Sequence, residues 1–159
     1  MSEDKVLWVG HDKREEDAYN VCLHTAIKHT PDLRIVPTTT DVLRGRHVYR
    51  RPKDEPASTE FTYSRFWLPF LREFKGHALF CDCDFMFTRD LTELYDLFDP
   101  KYAVQVVKHD YTPKSILKMD GQKQVNYPRK NWSSLMLFNC EHPANKQLNL
   151  EYLNGASAQ

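Results

Sequence analysis

The sequence of 159 residues has no long apolar run and no excess of charge of either sign. Its polar start leads into only four apolar residues, Val6 to Val9, which is the pattern of neither a signal peptide nor a membrane span. Lys plus Arg equals Asp plus Glu at 22 each, so no overall field directs the chain towards nucleic acid or an anionic membrane. We therefore expect a cytoplasmic protein with no membrane span and no nucleic-acid partner.

The four cysteines also lack the spacing of a disulfide framework. Cys22 and Cys140 lie far in sequence from the Cys81 and Cys83 pair, and no secretory signal precedes them. A zinc site made from Cys81, Cys83 and His77 would lack a second close pair of ligands. The pattern therefore favours reduced, buried thiols.

The residues that are present have the length and composition of one soluble domain. Apolar residues make up 41%, charged residues 28% and aromatics an unusually high 13%. Apolar stretches predict strands at 6–9, 33–36, 78–81, 103–107 and 132–140, while helical spacing predicts helices at 15–29, 61–74 and 90–98. Residues 38–60, which include a basic run from Arg44 to Arg51, have no apolar periodicity and predict a long loop. The alternation predicts a single α/β domain with a largely parallel sheet.

The stretch "FCDCDF", residues 80–85, places two carboxylates at the end of a predicted strand. Residues two apart on a strand point to the same side, so Asp82 and Asp84 would share one face as far as the extended conformation lasts. Two carboxylates so close repel each other unless a cation or a shared proton intervenes. Carboxylate oxygens suit Mg²⁺ or Mn²⁺, whose shell is completed by water and substrate phosphates. The structural alternative is that Asp82 caps a turn and Asp84 forms a surface ion pair.

Polar groups follow other predicted strands as well. They are Gly10, His11 and Asp12; Lys108, His109 and Asp110; and Asn139. Ligands of open α/β sheets bind outside the carboxyl ends of the strands, so we expect these groups to line one edge together with the two aspartates.

The ordered segments resemble a known family. The stretch "GHALFCDCDFMFTRDLTELYDLF" is similar to the Asp-x-Asp region of nucleotide-sugar glycosyltransferases with the GT-A fold, especially those of the family 8 type. "EFTYSRFWLPFL" resembles the helix that precedes this region, and "VVKHDYTP" and "KNWSSLMLFNC" resemble segments of a bacterial and large-virus subgroup. The resemblance runs from Val6 to about Asn154 and implies a GT-A domain, a UDP-sugar donor and a carbohydrate acceptor.

The resemblance also implies roles for individual residues. Asp82 and Asp84 would coordinate Mn²⁺ or Mg²⁺ on the donor diphosphate, with Asp82 near the ribose, and Gly10, His11 and Asp12 would seat the uridine. Arg65 would lie near the diphosphate or donor sugar, although an ion pair on a helix surface is a nearly equal alternative. The remaining implied contacts, some of which have structural alternatives, are Ser133, Ser134 and Asn139 for the sugar or acceptor, Lys108 and His109 for phosphate, and Asp110 for a sugar hydroxyl or the base.

Stereochemistry and activity stay open at the level of sequence. An inverting enzyme would need a base, for which Asp110 or His109 is the candidate, whereas in a retaining enzyme the leaving phosphate can take the proton. Family members commonly complete the metal shell with a later histidine, and no histidine follows His142, so we expect a shortened form of the family domain. A nucleotide-sugar-binding module without activity is therefore one rival.

A phosphatase of the haloacid-dehalogenase type is a weaker rival. Its first aspartate would be a nucleophile and its second a general acid. That class typically has Thr or Val where this chain has Met86, and it carries the motif on the first strand rather than the third.

Overall fold

Five short apolar segments form the strands of one sheet in a computed structural model, which describes residues 5–52, 59–110 and 131–156. The strands are β1 (Val6–Gly10), β2 (Arg34–Thr38), β3 (His77–Cys81), β4 (Val104–Val106) and β5 (Leu135–Asn139). The α-helices are α1 (Glu16–His29), α2 (Thr40–Gly45), α3 (Leu68–Leu71), α4 (Thr92–Asp96) and α5 (Leu150–Gly155). Short 3₁₀ helices lie at Lys13–Glu15, Ser64–Trp67, Trp132–Ser134 and Pro143–Gln147.

The sheet order is β2-β1-β3-β5-β4, and all strands except β5 run in one direction. The expected mixed α/β domain with a mainly parallel sheet is confirmed. The expectation that Asn139 lies at the carboxyl edge is wrong, because β5 runs antiparallel and its last residue pairs with His77 at the start of β3. We call the carboxyl ends of β1, β3 and β4, with the amino end of β5, the carboxyl edge.

The buried side chains of the described residues form two clusters. Leu7 pairs with Leu79 and Val9 with Cys81, and these buried side chains form the main core with Cys22 and Ala26 of α1. A second cluster surrounds the fully buried Trp67 and contains Leu43, Tyr49 and Leu153. The aromatic side chains Tyr63, Phe66 and Phe70 are partly buried against this cluster. No helix in the described part of the chain has the length and apolar character needed to cross a membrane.

Two predicted segments differ from the structure. The predicted loop at 38–60 begins with α2, which forms because the hydroxyl of Thr39 accepts a hydrogen bond from the backbone N of Val42 and because Leu43 is buried. The predicted helix at 61–74 is instead a 3₁₀ turn followed by the four-residue α3. Pro69 lies at the start of α3, where its missing N–H costs no helical hydrogen bond.

Candidate functional site

Asp82 follows β3 directly and lies at the carboxyl edge. Its backbone N donates to the carbonyl of Ser134 at 2.9 Å, which ties the end of β3 to the segment that starts β5. The side chain is 21% exposed, and its Oδ1 is buried with no hydrogen-bond partner in the described part of the chain. A buried carboxylate oxygen without a donor is costly in a folded protein. The atom is therefore a candidate ligand for a cation or a substrate group.

Arg65 is the positive charge nearest to Asp82. Its Nη1 lies 3.0 Å from Asp82 Oδ1, and the two form an ion pair without the alignment of a hydrogen bond. The same Nη1 donates to the carbonyl of Ser133 at 2.6 Å and to its hydroxyl at 3.1 Å, while Nε donates to the carbonyl of Phe61. The guanidinium also lies over the ring of Phe80, 5.1 Å from its centre. Arg65 therefore links three segments of the edge, and the alternative of a surface ion pair does not describe it.

The electrostatics of Asp82 are dominated by its burial. Burial raises the pKa of Asp82 to about 7, against the opposing effect of Arg65, and the nearby charges of Asp84 and Glu15 raise it further. This environment disfavours the charged form of the Asp82 carboxylate. A bound proton would remove that charge, and a cation close to the carboxylate would stabilise it.

Asp84 is exposed in the turn after β3 and adds a second carboxylate close enough to act on Asp82. The strand ends at Cys81, so the alternation that placed both aspartates on one face stops before the first of them. Within residues 5–52, 59–110 and 131–156, no three His, Cys, Asp or Glu side chains group as metal ligands.

Glu15 lies beside this pair and was not identified from the sequence as a site residue. Cys83 Sγ donates to Glu15 Oε2 at 3.0 Å, and burial followed by this hydrogen bond raises the pKa of the Cys83 thiol. All four cysteines are free and buried, which confirms the expectation of buried thiols. Glu15 and Cys83 are far apart in the sequence, and no local pattern links them.

Gly10, His11 and Asp12 continue from β1 at the same edge. A Cβ on Gly10 would lie 2.6 Å from Cγ and Cδ2 of Phe61, so the backbone and this ring are in close contact. His11 Nε2 lies 2.8 Å from Glu16 Oε2, and its ring packs against Tyr19. Each of these contacts holds the β1 end in place.

Asp12 has a structural role of its own. One of its carboxylate oxygens accepts from the backbone N and Nε of Arg14, and the other accepts from Arg14 Nη2 and the backbone N of Glu60. These bonds outweigh burial and lower the pKa of Asp12 to about 2. These hydrogen bonds join Asp12 to Arg14 and Glu60, and a contact of Asp12 with a nucleotide stays a prediction.

The other predicted site residues are divided between the edges. Ser133 and Ser134 lie at the carboxyl edge beside Arg65 and Asp82, and the Ser134 hydroxyl donates to the carbonyl of Asn131. Lys108, His109 and Asp110 are exposed after the end of β4, at the far side of the same edge. Asn139 is at the opposite edge, where its side chain donates to the carbonyl of Pro100 and accepts from the backbone N of Glu141, so it does not lie with the other predicted contacts, and its contact with a sugar stays a prediction.

Comparison with known proteins agrees with this architecture. GlyE, a glycosyltransferase of Streptococcus pneumoniae TIGR4, superposes with a TM-score of 0.54 at 14% identity over 96% of this chain and 37% of its own. The galactosyltransferase LgtC, solved with donor and acceptor sugar analogues, also gives 0.54 at 14% identity, over 97% of this chain and 66% of its own. The chain thus has the fold of GT-A glycosyltransferases.

Comparison of sequences finds a protein that is more similar to this chain than these two structures are, although its name states no activity. The chain is 48% identical over 149 residues to the Arabidopsis thaliana protein called Protein CDI, a match that covers 93% of this chain. The chain spans 58% of the length of that curated relative, whose name states no activity. No model of a known protein family matches the chain.

Proposed function

We propose that the protein is a metal-dependent glycosyltransferase that transfers a sugar from a UDP-sugar to a hydroxyl group of a carbohydrate acceptor. The observation that carries this proposal is the buried Oδ1 of Asp82 at the carboxyl edge, which lies near a second carboxylate and forms an ion pair with Arg65 but no hydrogen bond among the described residues. Ligands of open α/β sheets bind at such an edge. The likeness to solved glycosyltransferases supports the assignment through the fold.

Asp82 and Asp84 would hold Mn²⁺ or Mg²⁺ in this proposal. Oxygen ligands suit both ions, and Mg²⁺ in particular is commonly held by one or two carboxylates together with waters and substrate phosphates. When bound, the ion would stabilise the negative charge that develops on the nucleoside diphosphate as it leaves.

The remaining residues of the edge would position and contact the substrates. Arg65 holds Asp82 and Ser133 in place, and its charge would also favour a diphosphate. The uridine would lie against the end of β1, at Gly10 and His11, with Asp12 holding that end rigid. Ser133 and Ser134 would contact the donor sugar or the acceptor.

Lys108, His109 and Asp110 would contact the substrates from the end of β4. They are exposed after β4 and have room to approach a bound substrate. Lys108 would contact phosphate, and Asp110 or His109 would take the acceptor proton if the reaction inverts stereochemistry. In a retaining reaction the leaving phosphate would take that proton, and the anomer of the product, read by proton NMR, separates the two.

The first experiment measures binding by thermal unfolding. We expect UDP with Mn²⁺ to raise the Tm by about 5 to 10 °C at ~100 times Kd, because a ligand that binds only the folded state stabilises it by mass action. Asp84→Ala should abolish the shift, whereas Asp96→Ala, a change at another exposed aspartate, should preserve it. Absence of a shift with every nucleoside diphosphate at millimolar concentration would overturn the proposal.

A second experiment separates an enzyme from a binding module. Hydrolysis of a UDP-sugar, or transfer of the sugar to an added glycan, requires chemistry at the site and would be lost on addition of EDTA. Binding of UDP with no turnover would identify a nucleotide-sugar-binding module. Release of phosphate from p-nitrophenyl phosphate would instead favour a phosphatase.

A further inference from the structure

A cavity lies away from the aspartates, against the face of β1 and β2 that is opposite α1. Its volume is about 360 Å³, and it is bordered by α2 and by the end of α3 and open to solvent on one side. None of the residues that hold or surround Asp82 lines it. Its polar and charged lining includes Arg34, Thr38, Thr39, Arg46, Arg72 and Glu73, and apolar walls come from Val6, Trp8, Val36 and Leu43.

The register of the sheet accounts for this lining. Val6 pairs with Arg34, Trp8 with Val36, and Gly10 with Thr38. Because side chains alternate along each strand, the alternate residues Val6 and Trp8 of β1 and Arg34, Val36 and Thr38 of β2 project to the same side. The sheet thus presents an indole, a hydroxyl and a guanidinium to one space.

Three polar atoms of the lining are buried and have no hydrogen-bond partner in the described part of the chain. They are Trp8 Nε1, Thr38 Oγ1 and Arg72 Nε, and Thr38 is only 2% exposed. Buried polar atoms are paired in the great majority of cases, so three orphans around one cavity indicate a missing partner. The indole and guanidinium nitrogens only donate, and the hydroxyl can also donate. The missing partner is therefore an acceptor of hydrogen bonds.

The charge of the lining specifies the acceptor further. Arg34, Arg46 and Arg72 contribute three positive charges and Glu73 one negative charge, which leaves a formal charge of two positive. Across the ranges that the structure describes, no carboxylate lies within 4.0 Å of these three guanidinium groups, and Glu73 pairs with Lys75 instead. A dianion would balance the lining.

We propose that this cavity binds the phosphate group of a small phosphate monoester. A phosphate monoester carries close to two negative charges at neutral pH, which matches the formal charge of the lining, and its three acceptor oxygens suit a lining that is rich in donors. Guanidinium groups bind phosphate in a bidentate manner. The apolar walls would contact a small organic body, and the volume is within the range of small-molecule sites. The inference does not rest on the proposed function.

Calorimetric titration with glycerol 3-phosphate in EDTA tests the proposal, with inorganic phosphate as a second probe and sodium chloride at matched ionic strength as a blank. We expect both phosphates to bind and chloride to show no heat of binding. The double change of Arg34 and Arg46 to Gln should weaken the Kd at least about tenfold, since charge-assisted hydrogen bonds are lost. Arg89→Gln, at an arginine 78% exposed outside the cavity, should leave the Kd within about twofold.

A third variant addresses the buried hydroxyl. Thr38→Val keeps the shape of the side chain and removes one of the three unpaired donors, so it should weaken phosphate binding while the protein remains folded, as circular dichroism would show. Tighter binding of the ester than of inorganic phosphate would identify an organic ligand, and equal affinities would identify phosphate alone.

The proposal would be overturned if the wild type and the double variant had equal Kd values, or if phosphate did not bind at all. The cavity would then be a site for water only. Phosphate binding in this cavity should not depend on the proposed metal site. The variant Asp84→Ala should therefore bind phosphate with the same Kd as the wild type. If phosphate binds in the cavity but UDP with Mn²⁺ does not bind, the result would count against the proposed glycosyltransferase function and not against the phosphate site.

Discussion

Arg65 and Asp82 form an ion pair of 3.0 Å at the carboxyl edge, and the same guanidinium nitrogen donates to the carbonyl of Ser133. The side chain of Arg65 is only 9% exposed and that of Asp82 21%, so water stabilises the charge of the arginine little and that of the aspartate only in part. Removal of one member of a buried pair leaves the other charge uncompensated, which typically costs about 3 to 5 kcal/mol. The pair therefore stabilises the fold and holds the candidate metal ligand at once.

Arg65→Met should lower the free energy of unfolding by about 3 kcal/mol, measured by urea denaturation. The double change Arg65→Met with Asp82→Asn should recover part of this loss, because no unpaired charge remains. Arg89→Met breaks an exposed pair with Glu93 and should cost less than about 1 kcal/mol. Equal losses for the buried and the exposed arginine would contradict the role given to Arg65.

Gly10→Ala tests the contact between the end of β1 and Phe61. The added Cβ would lie 2.6 Å from two ring carbons of Phe61, which is 2% exposed and has little room to move. We expect a loss of about 1 to 3 kcal/mol in the free energy of unfolding. Displacement of Phe61 would also disturb Arg65, whose Nε donates to the Phe61 carbonyl.

Two companion variants show whether the ring causes the loss. Phe61→Ala removes Cγ and Cδ2, the two carbons nearest to the new methyl group, so the double variant should be more stable than the sum of the two single changes indicates. Gly45→Ala has no atom within 4 Å of its new Cβ and should not destabilise the protein. Additive losses in the double variant would show that the contact is not the cause.

The sequence was sufficient for those elements whose apolar pattern is strong. The strands β1 and β3 and the helix α1 follow from uninterrupted apolar runs or helical spacing, and the carboxyl edge follows from the residues after them. The helix α2 was missed because a single buried residue, Leu43, anchors it to the core. Strand direction was also not predictable, since an apolar run such as β5 fits a parallel or an antiparallel neighbour, and Asn139 was therefore assigned to the wrong edge.

The contacts within the site join residues that are far apart in the sequence, so no local sequence pattern predicts them. Arg65 and Ser133 are 68 residues apart, as are Glu15 and Cys83. The resemblance drew attention to Arg65, but its dual contact with Asp82 and Ser133 required the folded structure.

Tyr95→Phe tests the attachment of α4 to the start of the sheet. The buried Tyr95 hydroxyl donates to the carbonyl of Val6 at 2.7 Å and accepts from its backbone N at 3.1 Å. Loss of the hydroxyl leaves both backbone groups without these bonds, so we expect a decrease of about 2 to 3 kcal/mol in the free energy of unfolding. Tyr152→Phe, at a tyrosine 54% exposed, should change stability by less than about 0.5 kcal/mol, and a similar small effect at Tyr95 would contradict the argument.

Asp12 should make the stability of the fold depend on pH in the acid range. Hydrogen bonds from Arg14 and Glu60 lower its pKa from 3.8 to about 2, so its contribution is fully present above pH 4 and is lost as the pH falls towards 2. A difference of this size corresponds to about 2 kcal/mol. Asp12→Asn should therefore be less stable than the wild type by about that amount at pH 6, and the gap should close near pH 2 in urea denaturation. Asp32→Asn, at an exposed turn, should show a gap below about 0.5 kcal/mol throughout. A gap for Asp12→Asn that does not change between pH 6 and pH 2 would show that the lost stability comes from packing and not from the charge of the carboxylate.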